Sequence, residues 1–590
     1  MIRIYKKFEI IIIYNLQKTQ KRVFYFYLKL IEKYSKKYYN KNIKFSLEKK
    51  QKISINYKIN IKIKKMKNTF YITTPIYYTN GIPHIGHAYS SLIADTIARH
   101  QKITGKQTKF STGVDENSQK AVQKAEELWM ETMPYLDMMA DKHKAVWDGL
   151  KINYSDFIRT TEDRHHEFVS SVLEKSHNNW DIYEWEYEWM YCVGCEAFKK
   201  DEDLVFMNKT SKETFPISDK VKESENIMKV CPDHLKTPDK IKEKNYFFKL
   251  SKYEEKLKEF YKSNPEFVTP NDRFNEVKAF VDRWLEDFSI SRETNKFGIK
   301  LPFDETQVTY VWYDALFNYL TVCGNWDENF WPADLHVVGK DIIRFHAIYW
   351  PAMLMSAGYE LPKQILTTWF FTVDWQKISK SLGNVIDPVE FSEEYSKDML
   401  VLYLLSSFNI WQDWDFDNKQ AILTYNAKLA NNFWNLVNRV VVLTLKLWLE
   451  NWLIWEVDNN IKQSLERYLW EYDKAINSYN LKESLDKTFF FLDELNKYVD
   501  DTQPWTLIKD ETKREEVINI FYTISESLRN VWMNLYPFFP EKMWELFEKI
   551  WLENYVDNLE NWKLEEQRVK KEIFIIKEKW EALFERVEII

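Results

Sequence analysis

The sequence predicts an α/β protein with an all-α tail, and three observations support this fold class. From Phe70 onward, β-branched apolar runs alternate with turns and with apolar residues at helical spacing, a pattern typical of a parallel sheet covered by helices. Residues 181–305 break that rhythm with a charged stretch that carries cysteines. After about residue 426 the chain reads as helix after helix, which predicts a bundle.

The composition favours a soluble protein of several domains. The 590 residues are 17% aromatic and 29% charged, enough for more than one buried core. No run of eighteen uncharged apolar residues occurs, so no segment is predicted to span a membrane. Four cysteines are too few for a disulfide scaffold, and we expect a cytoplasmic protein. Of these, Cys323 stands alone and is predicted to be a small buried apolar residue.

Residues 1–65 differ from the rest of the chain. They carry 19 Lys+Arg against 3 Asp+Glu, a net charge of +16, whereas the remainder carries 64 against 86, or −22. A basic nucleic-acid-binding arm, a targeting peptide and spurious translation upstream of a true start at Met66 are three interpretations. Low-complexity composition offers little to pack, so we expect the extension to be absent from the native protein.

A pair of histidines follows the first predicted strand. Pro83-His84-Ile85-Gly86-His87 stands where a helix should begin, and a helix N-terminus offers N–H groups and a positive dipole end to an anion. Gly86 leaves room for a flat ring against the backbone. The alternative is that the two histidines only cap the helix.

A polar loop with two lysines follows a later predicted strand. In FFTVDWQKISKSLGN, Lys377, Ser379 and Lys380 lie on a short segment ending in glycine. Such cations suit a triphosphate whose charge moves towards the leaving pyrophosphate. A solvated surface loop is the alternative for this segment taken alone, but both motifs occur in order, each beside a strand.

This pair of motifs resembles the HIGH and KMSKS signatures of class I aminoacyl-tRNA synthetases. TPIYYTNGIPHIGHAY, TGVDENSQKA, FIRTTEDRH, SISR, FWPADLHVVGKDIIRFHAIYWPAML and DWQKISKSLGNVIDP are similar, in order, to the methionyl-tRNA synthetases within that class. The resemblance runs from Met66 to the C-terminus. It implies a Rossmann-type catalytic domain (66–180 and 306–368), a zinc-knuckle insertion (181–305), a lysine-loop region (369–425) and a helical anticodon-binding domain (426–590).

The resemblance also implies a reaction and its site. Methionine would be activated by ATP with Mg²⁺ to methionyl-adenylate and transferred to tRNA(Met), releasing AMP and diphosphate. The implied catalytic residues are His84, His87, Lys377 and Lys380, and the ATP site adds Gly86, Gly339 and Ser379. The implied methionine site consists of Ile76, Tyr78, Trp312, Ala315, Tyr319, Asp341 and His346.

The insertion carries two paired-ligand motifs. Cys192-Val-Gly-Cys195 and Cys231-Pro-Asp-His234 supply three thiolates and one imidazole, which suit a closed, structural zinc site.

In the tail, Asn435, Arg439 and Trp505 stand at the family's anticodon-binding positions. Because the chain stops after the bundle, we expect a monomer. A non-catalytic tRNA-binding relative and a class I synthetase for another amino acid are the alternative functions.

Tryptophan and glycine counts depart from the family pattern. The chain has 25 Trp and 11 Gly. Tryptophan stands where the family has glycine at 129, 180, 185, 189, 284, 369, 375, 411, 414, 434 and 580. We interpret this as a gene in which UGA encodes glycine but was translated as tryptophan.

Overall fold

The computed structural model describes residues 68–192, 197–199, 201–217, 223–232, 235–293, 295–324, 330–369, 371–373, 376–377, 385–408, 414–446, 456–550, 564, 568 and 580–588. Residues 66–590 form one compact unit. The basic extension, Cys195, His234, Trp375, Ser379 and Lys380 lie outside the described residues. No helix in these described ranges is long and apolar enough to cross a bilayer.

The strands are short and numerous. In chain order they are β1 (Thr69–Tyr78), β2 (Gln107–Asp115), β3 (Asp156–Arg159), β4 (Ile182–Cys192), β5 (Ala197–Lys199), β6 (Val205–Asn208), β7 (Thr214–Pro216), β8 (Ile227–Val230), β9 (Asp239–Phe248), β10 (Val268–Thr269), β11 (Phe288–Ser289), β12 (Ser291–Arg292), β13 (Lys300–Leu301), β14 (Asp304–Thr309), β15 (Leu335–Gly339), β16 (Ile365–Thr368), β17 (Phe371–Val373), β18 (Gln376–Lys377) and β19 (Trp414–Asp415).

The α-helices cover the sheet and then form the tail. They are α1 (Ile85–Ile103), α2 (Gln119–Glu127), α3 (Thr132–Gly149), α4 (Asp163–Asn178), α5 (Glu254–Ser263), α6 (Asn271–Val281), α7 (Val311–Ala315), α8 (Asn318–Thr321), α9 (Trp350–Ala357), α10 (Pro388–Glu394), α11 (Lys397–Ser406), α12 (Asn418–Tyr425), α13 (Asn435–Lys446), α14 (Asn459–Asn477), α15 (Leu481–Thr502), α16 (Pro504–Leu507), α17 (Arg514–Leu535) and α18 (Pro540–Ile550).

A six-stranded parallel sheet lies at the centre of the α/β part of the chain, which confirms the predicted parallel sheet. The strand order is β10-β16-β15-β1-β2-β3, and every pair is parallel. From β1 the chain proceeds to β2 on one side, whereas β15 lies on the other. The order therefore reverses between β1 and β15, where open α/β sheets bind their ligands beyond the strand ends.

Strands β2 and β3 approach very closely beside this point. A Cβ atom built on Gly113 would lie 2.1 Å from the carbonyl oxygen of Ile158, far inside van der Waals contact. Glycine at position 113 is therefore required by the spacing of the two strands.

The insertion consists of small antiparallel sheets, the longest pairing being β4 with β9 from Ile182 to Tyr191. One of its strands, β10, joins the central parallel sheet by pairing with β16. The chain between 181 and 305 thus contributes both to the insertion and to the edge of the six-stranded sheet.

The described part of the tail is helical, with a π-helical segment at Asn426–Trp434 before α13, and this confirms the predicted helical tail. Helices α14 and α15 pack against each other along their lengths. Apolar side chains of α1 and of the tail belong to one continuous core, so the helical tail is packed directly onto the α/β part of the chain.

Three tryptophans have a left-handed backbone. Trp129, Trp180 and Trp284 have φ of 56°, 59° and 81°, and their side chains are 97%, 80% and 82% exposed. Trp129 follows the C-cap of α2, where its N–H bonds to Glu126 O and the next N–H bonds to Ala125 O. That is the Schellman arrangement, in which glycine is the usual residue.

Some other tryptophans at positions where the family has glycine are more buried. Trp434 and Trp580 are buried in the core, and Trp369 is half-buried. Among the described members of this set, backbone geometry singles out Trp129, Trp180 and Trp284, while Trp375 and Trp411 lie outside the described residues.

Candidate active site

A cavity of about 450 Å³ lies at the carboxyl ends of the parallel strands. Ends of four strands contribute to its wall through Tyr78, Asp115, Gly339 and Thr368. The wall includes all seven predicted methionine-site residues and the four ATP-site residues outside the lysine loop: Ile76, Tyr78, Trp312, Ala315, Tyr319, Asp341 and His346, and His84, Gly86, His87 and Gly339. Residues from both ends of the sequence thus meet in one cleft.

The two histidines cap helix α1 and also line the cavity. Gly86 N–H donates to Nδ1 of His84, and His84 N–H donates to Nδ1 of His87, each over 3.1 Å. This is a capping box made of imidazoles. Because each Nδ1 accepts a bond, the neutral rings carry their proton on Nε2, which is a donor. Capping and a role in the cavity therefore coexist.

Gly86 leaves room for one of these rings. A Cβ at position 86 would lie 2.9 Å from Cε1 of His84. In this structure the imidazole of His84 lies beside the space that the missing Cβ leaves.

Tyr77 supports the second histidine from below. Its ring meets that of His87 edge-on at 5.0 Å, and its hydroxyl lies 3.1 Å from Ser91 Oγ. Burial raises the pKa of Tyr77 to about 12, so the phenol stays protonated at neutral pH.

Aromatic rings form the opposite wall. Trp312 stacks on Phe345 with ring centroids 3.9 Å apart and planes inclined by 5°. Phe345 and His346 lie in a π-helical turn, Phe345–Tyr349, that precedes α9. Such turns displace side chains from the α-helical register and are frequent at functional sites.

A hydrogen-bond chain fixes the tautomer of His346. Its Nδ1 donates to Ile342 O at 3.0 Å, so Nε2, 2.7 Å from the hydroxyl of Tyr319, accepts. Burial lowers the pKa of His346 to about 4, which keeps this imidazole neutral. The Tyr319 carbonyl in turn accepts from Tyr71 Oη over 2.8 Å.

Asp341 follows the end of β15 through a short helical turn, Lys340–Ile342. A Cβ on Gly339 would lie 2.6 Å from Oδ1 of Asp341. The glycine therefore lets this carboxylate fold back over the strand end, beside the aromatic wall.

Both chain segments that flank the lysine loop reach the cavity. Thr368 and Trp369 line it on one side and Val385 on the other. Lys377 belongs to β18, which pairs antiparallel with β17. Ser90 Oγ of α1 lies 3.3 Å from Thr368 Oγ1, so the histidine-bearing helix touches the strand that leads into the loop.

A buried polar cluster supports the strand ends. Asn117 donates to Asp314 Oδ2 at 3.2 Å and to Thr160 O at 3.1 Å. His165 contacts Thr321 Oγ1 at 2.9 Å, with Nε2 3.9 Å from Asp314. Burial raises the pKa of Asp314 well above its ordinary value and lowers that of His165 to about 3.

A second cavity, of about 400 Å³, lies on the helical tail. Asn438, Arg439, Val442, Leu443 and Trp505 line it. Two of the three predicted anticodon residues therefore meet, while Asn435 lies outside this cavity. Arg439 is held by Asp500 over 3.2 Å, and Trp505 is 40% exposed.

Of the four predicted zinc ligands, Cys192 and Cys231 are described. Both are buried, Cys192 at the end of β4 and Cys231 directly after β8. Cys323, predicted to be a buried apolar residue, is 5% exposed.

Sequence reasoning missed several lining residues, above all His143. Its Nε2 lies 2.9 Å from the carbonyl oxygen of Gly81. No spacing or composition marks it, because the contact depends on where α3 docks against the first turn.

Comparisons with known proteins agree with this geometry. A family model described as class I tRNA synthetases (M) matches residues 70–441. Methionine–tRNA ligase of Fusobacterium nucleatum is 37% identical over 535 residues, 89% of this chain and 81% of the relative. The Thermotoga maritima methionine–tRNA ligase is 38% identical over 504 residues, 84% and 77% of the two chains.

A solved structure is similar in fold. Mycobacterium tuberculosis methionyl-tRNA synthetase in complex with methionyl-adenylate superposes with a TM-score of 0.80 at 30% identity. The match covers 88% of this chain and 100% of that one.

Proposed function

The chain belongs to the class I methionyl-tRNA synthetases, and on that premise we propose how its cavity activates methionine. The enzyme is a methionine–tRNA ligase, which joins methionine to tRNA through an adenylate. The observation that carries the site assignment is the single cavity lined by both the histidine motif and the aromatic wall.

In the first step the methionine carboxylate attacks the α-phosphate of ATP, and pyrophosphate leaves. No protein base is needed, because the nucleophile is already an anion. Catalysis therefore depends on positioning and on donors that meet developing charge. The Nε2–H groups of His84 and His87 supply such donors, supported by the tautomer that their capping bonds impose.

The lysine loop completes the nucleotide site. Lys377 and Lys380 follow the β- and γ-phosphates, with Ser379 between them, and Mg²⁺ shares the phosphate charge. The position of Thr368, Trp369 and Val385 on the cavity wall supports this assignment, since these residues flank the loop.

The aromatic wall holds the amino acid. The Asp341 carboxylate binds the α-ammonium group, as charge-assisted bonds of this kind are strong. Trp312 and Tyr319 give the thioether the sulfur–ring contacts that an unbranched side chain favours. Ile76, Tyr78, Ala315 and His346 complete the pocket.

The tail recognises the tRNA. Arg439 and Asn435 read base edges, and Trp505 stacks on an unpaired base. Support comes from the cavity that Arg439 and Trp505 share and from Asp500, which orients the guanidinium.

We also infer a structural zinc site in the insertion. Cys192, Cys195, Cys231 and His234 would hold the ion, and burial of the two described thiols fits such a site. Bound zinc would cross-link the knuckle. Because ATP and tRNA are cytoplasmic substrates, we place the enzyme in the cytoplasm. We expect a monomer, and size-exclusion chromatography measures this oligomeric state.

ATP–pyrophosphate exchange with a panel of amino acids tests the proposal. Exchange with methionine alone, together with methionylation of tRNA(Met), is the expected result. Exchange with another amino acid would identify a different specificity, and tRNA binding without any exchange would identify a non-catalytic relative.

A further inference from the structure

Helix α3 holds the segment that leads into the two histidines. Its buried face carries Tyr135, His143 and Trp147, which recur at the spacing of one helical stripe. Each contacts a different residue at the end of β1 or in the turn beyond it. The helix thus lies along the segment as a brace.

Three contacts form the brace. Tyr135 Oη donates to Thr79 O over 2.7 Å, and His143 Nε2 donates to Gly81 O over 2.9 Å. The ring of Trp147 lies 5.5 Å from that of Tyr77, which in turn meets His87.

The His143 contact differs from the others in its location. His143 and Gly81 both line the active-site cavity, together with Asn80 and Ile82, and His143 is only 1% exposed. Thr79 does not line the cavity. The bond to Gly81 therefore fixes the part of the turn that directly precedes His84.

We propose that His143 is a positioning residue that holds the Gly81 turn, and through it the His84 imidazole, in register with the nucleotide. This inference rests on the proposed function. The ring acts by donating from Nε2 to a backbone oxygen. Since small displacements of reacting groups can lower rates about 100-fold, loss of this bond should lower kcat.

The amides of glutamine and asparagine give a matched pair of variants. The side-chain N–H₂ group of Gln lies about where Nε2 of histidine lies. That of Asn lies nearer the position of Nδ1 and does not reach the carbonyl oxygen of Gly81. We expect His143→Asn and His143→Leu to lower kcat of methionine-dependent pyrophosphate exchange roughly 10- to 100-fold. His143→Gln should stay within about threefold of wild type, with KM for methionine nearly unchanged in all three.

Tyr135→Phe is the comparison variant, because it removes a bond of the same brace to a carbonyl outside the cavity, and kcat should fall less than in His143→Asn. Thermal unfolding of every variant separates positioning from stability. Equal kcat in His143→Asn, His143→Gln and wild type would overturn the inference. It would also be overturned if the decreases in kcat simply paralleled the decreases in melting temperature. A wild-type chain without any exchange would instead overturn the proposed function.

Discussion

The backbone N–H of Ile85 donates to the carbonyl oxygen of Ile386 over 3.2 Å. Ile85 is the first residue of the helix that carries both histidines, and Ile386 stands just after the lysine loop. The first residue of the histidine-bearing helix is therefore joined by a direct backbone bond to the segment that follows the lysine loop. The contact of Ser90 with Thr368 links the same helix to the strand that precedes the loop.

Ile85→Pro should weaken adenylate formation by removing this donor. Proline is tolerated at the first position of a helix, and His84 has the extended backbone, φ −109° and ψ 179°, that a residue before proline needs. Loss of a bond worth about 1 kcal/mol should lower kcat of pyrophosphate exchange roughly fivefold. Ile85→Val keeps the N–H, so comparable loss in that variant would contradict the prediction.

Tyr319→Phe should impair methionine binding. It leaves Nε2 of the buried His346 without its donor, at a cost of about 1–3 kcal/mol, and disturbs a wall residue. We expect KM for methionine to rise about tenfold or more while KM for ATP changes little. Tyr71→Phe, which removes a bond to the Tyr319 carbonyl from behind the cavity, is the control. A rise in both KM values would argue against a separate methionine wall.

Stability should fall as pH drops from about 6.5 towards 4. Burial lowers the pKa of His100 and His165 to about 3 and that of His346 to about 4. In this window the unfolded chain binds protons that the folded protein does not, so the free energy of unfolding decreases with decreasing pH. At pH 5 each of these histidines lowers the free energy of unfolding by about 2 kcal/mol relative to neutral pH.

Urea unfolding at pH 7.5 and pH 5 measures this difference. His100→Leu should reduce it by about 2 kcal/mol, because the ring lies buried beside Tyr472. His177→Leu, at a half-buried position stacked on Phe303, is the control. An unchanged pH dependence in His100→Leu would show that this histidine does not carry the effect.

Trp129→Gly should stabilise the protein. A left-handed backbone costs a residue with a Cβ about 1–2 kcal/mol, and the exposed indole at 129 gains little in return. Trp129→Ala removes the indole but keeps the Cβ, so Gly should exceed Ala by about 1 kcal/mol in urea unfolding. Equal stabilities of the Gly and Ala variants would contradict the backbone argument.

The same reasoning predicts glycine in the cellular protein. Mass spectrometry of the protein from its natural source should find Gly at positions 129, 180 and 284. It should also find Gly at 375, where the prediction follows from the family pattern and not from the backbone. Tryptophan at those positions would refute the interpretation that UGA encodes glycine.

Trp505→Ala and Arg439→Gln should reduce tRNA methionylation without affecting pyrophosphate exchange. Stacking on an aromatic residue is worth about 1–3 kcal/mol per base, so kcat/KM for tRNA should fall roughly 10- to 100-fold. Arg467→Gln removes a surface arginine that pairs with Glu494 on the same tail and serves as the control. An equal loss in Arg467→Gln would indicate general electrostatic attraction.

The alternation of strands and helices predicts the parallel sheet and the helical tail, because these patterns are local. The residues that meet in the cleft are predicted by the two motifs together with the family resemblance. The sequence does not predict the π-helical turn at Phe345, since DIIRFHAIYWPAML is equally compatible with an ordinary helix. Nor does it reveal His143 or the return of β10 to the sheet. Both depend on docking between distant segments, which no short spacing encodes.

The close approach of Gly113 to Ile158 limits how this catalytic domain can diversify. A side chain at 113 would have to push apart the strands that end at Asp115 and Arg159, and Asp115 borders the cleft. A saturation library at this codon should return glycine alone from any selection for growth. Lineages that descend from this enzyme must therefore keep glycine at position 113.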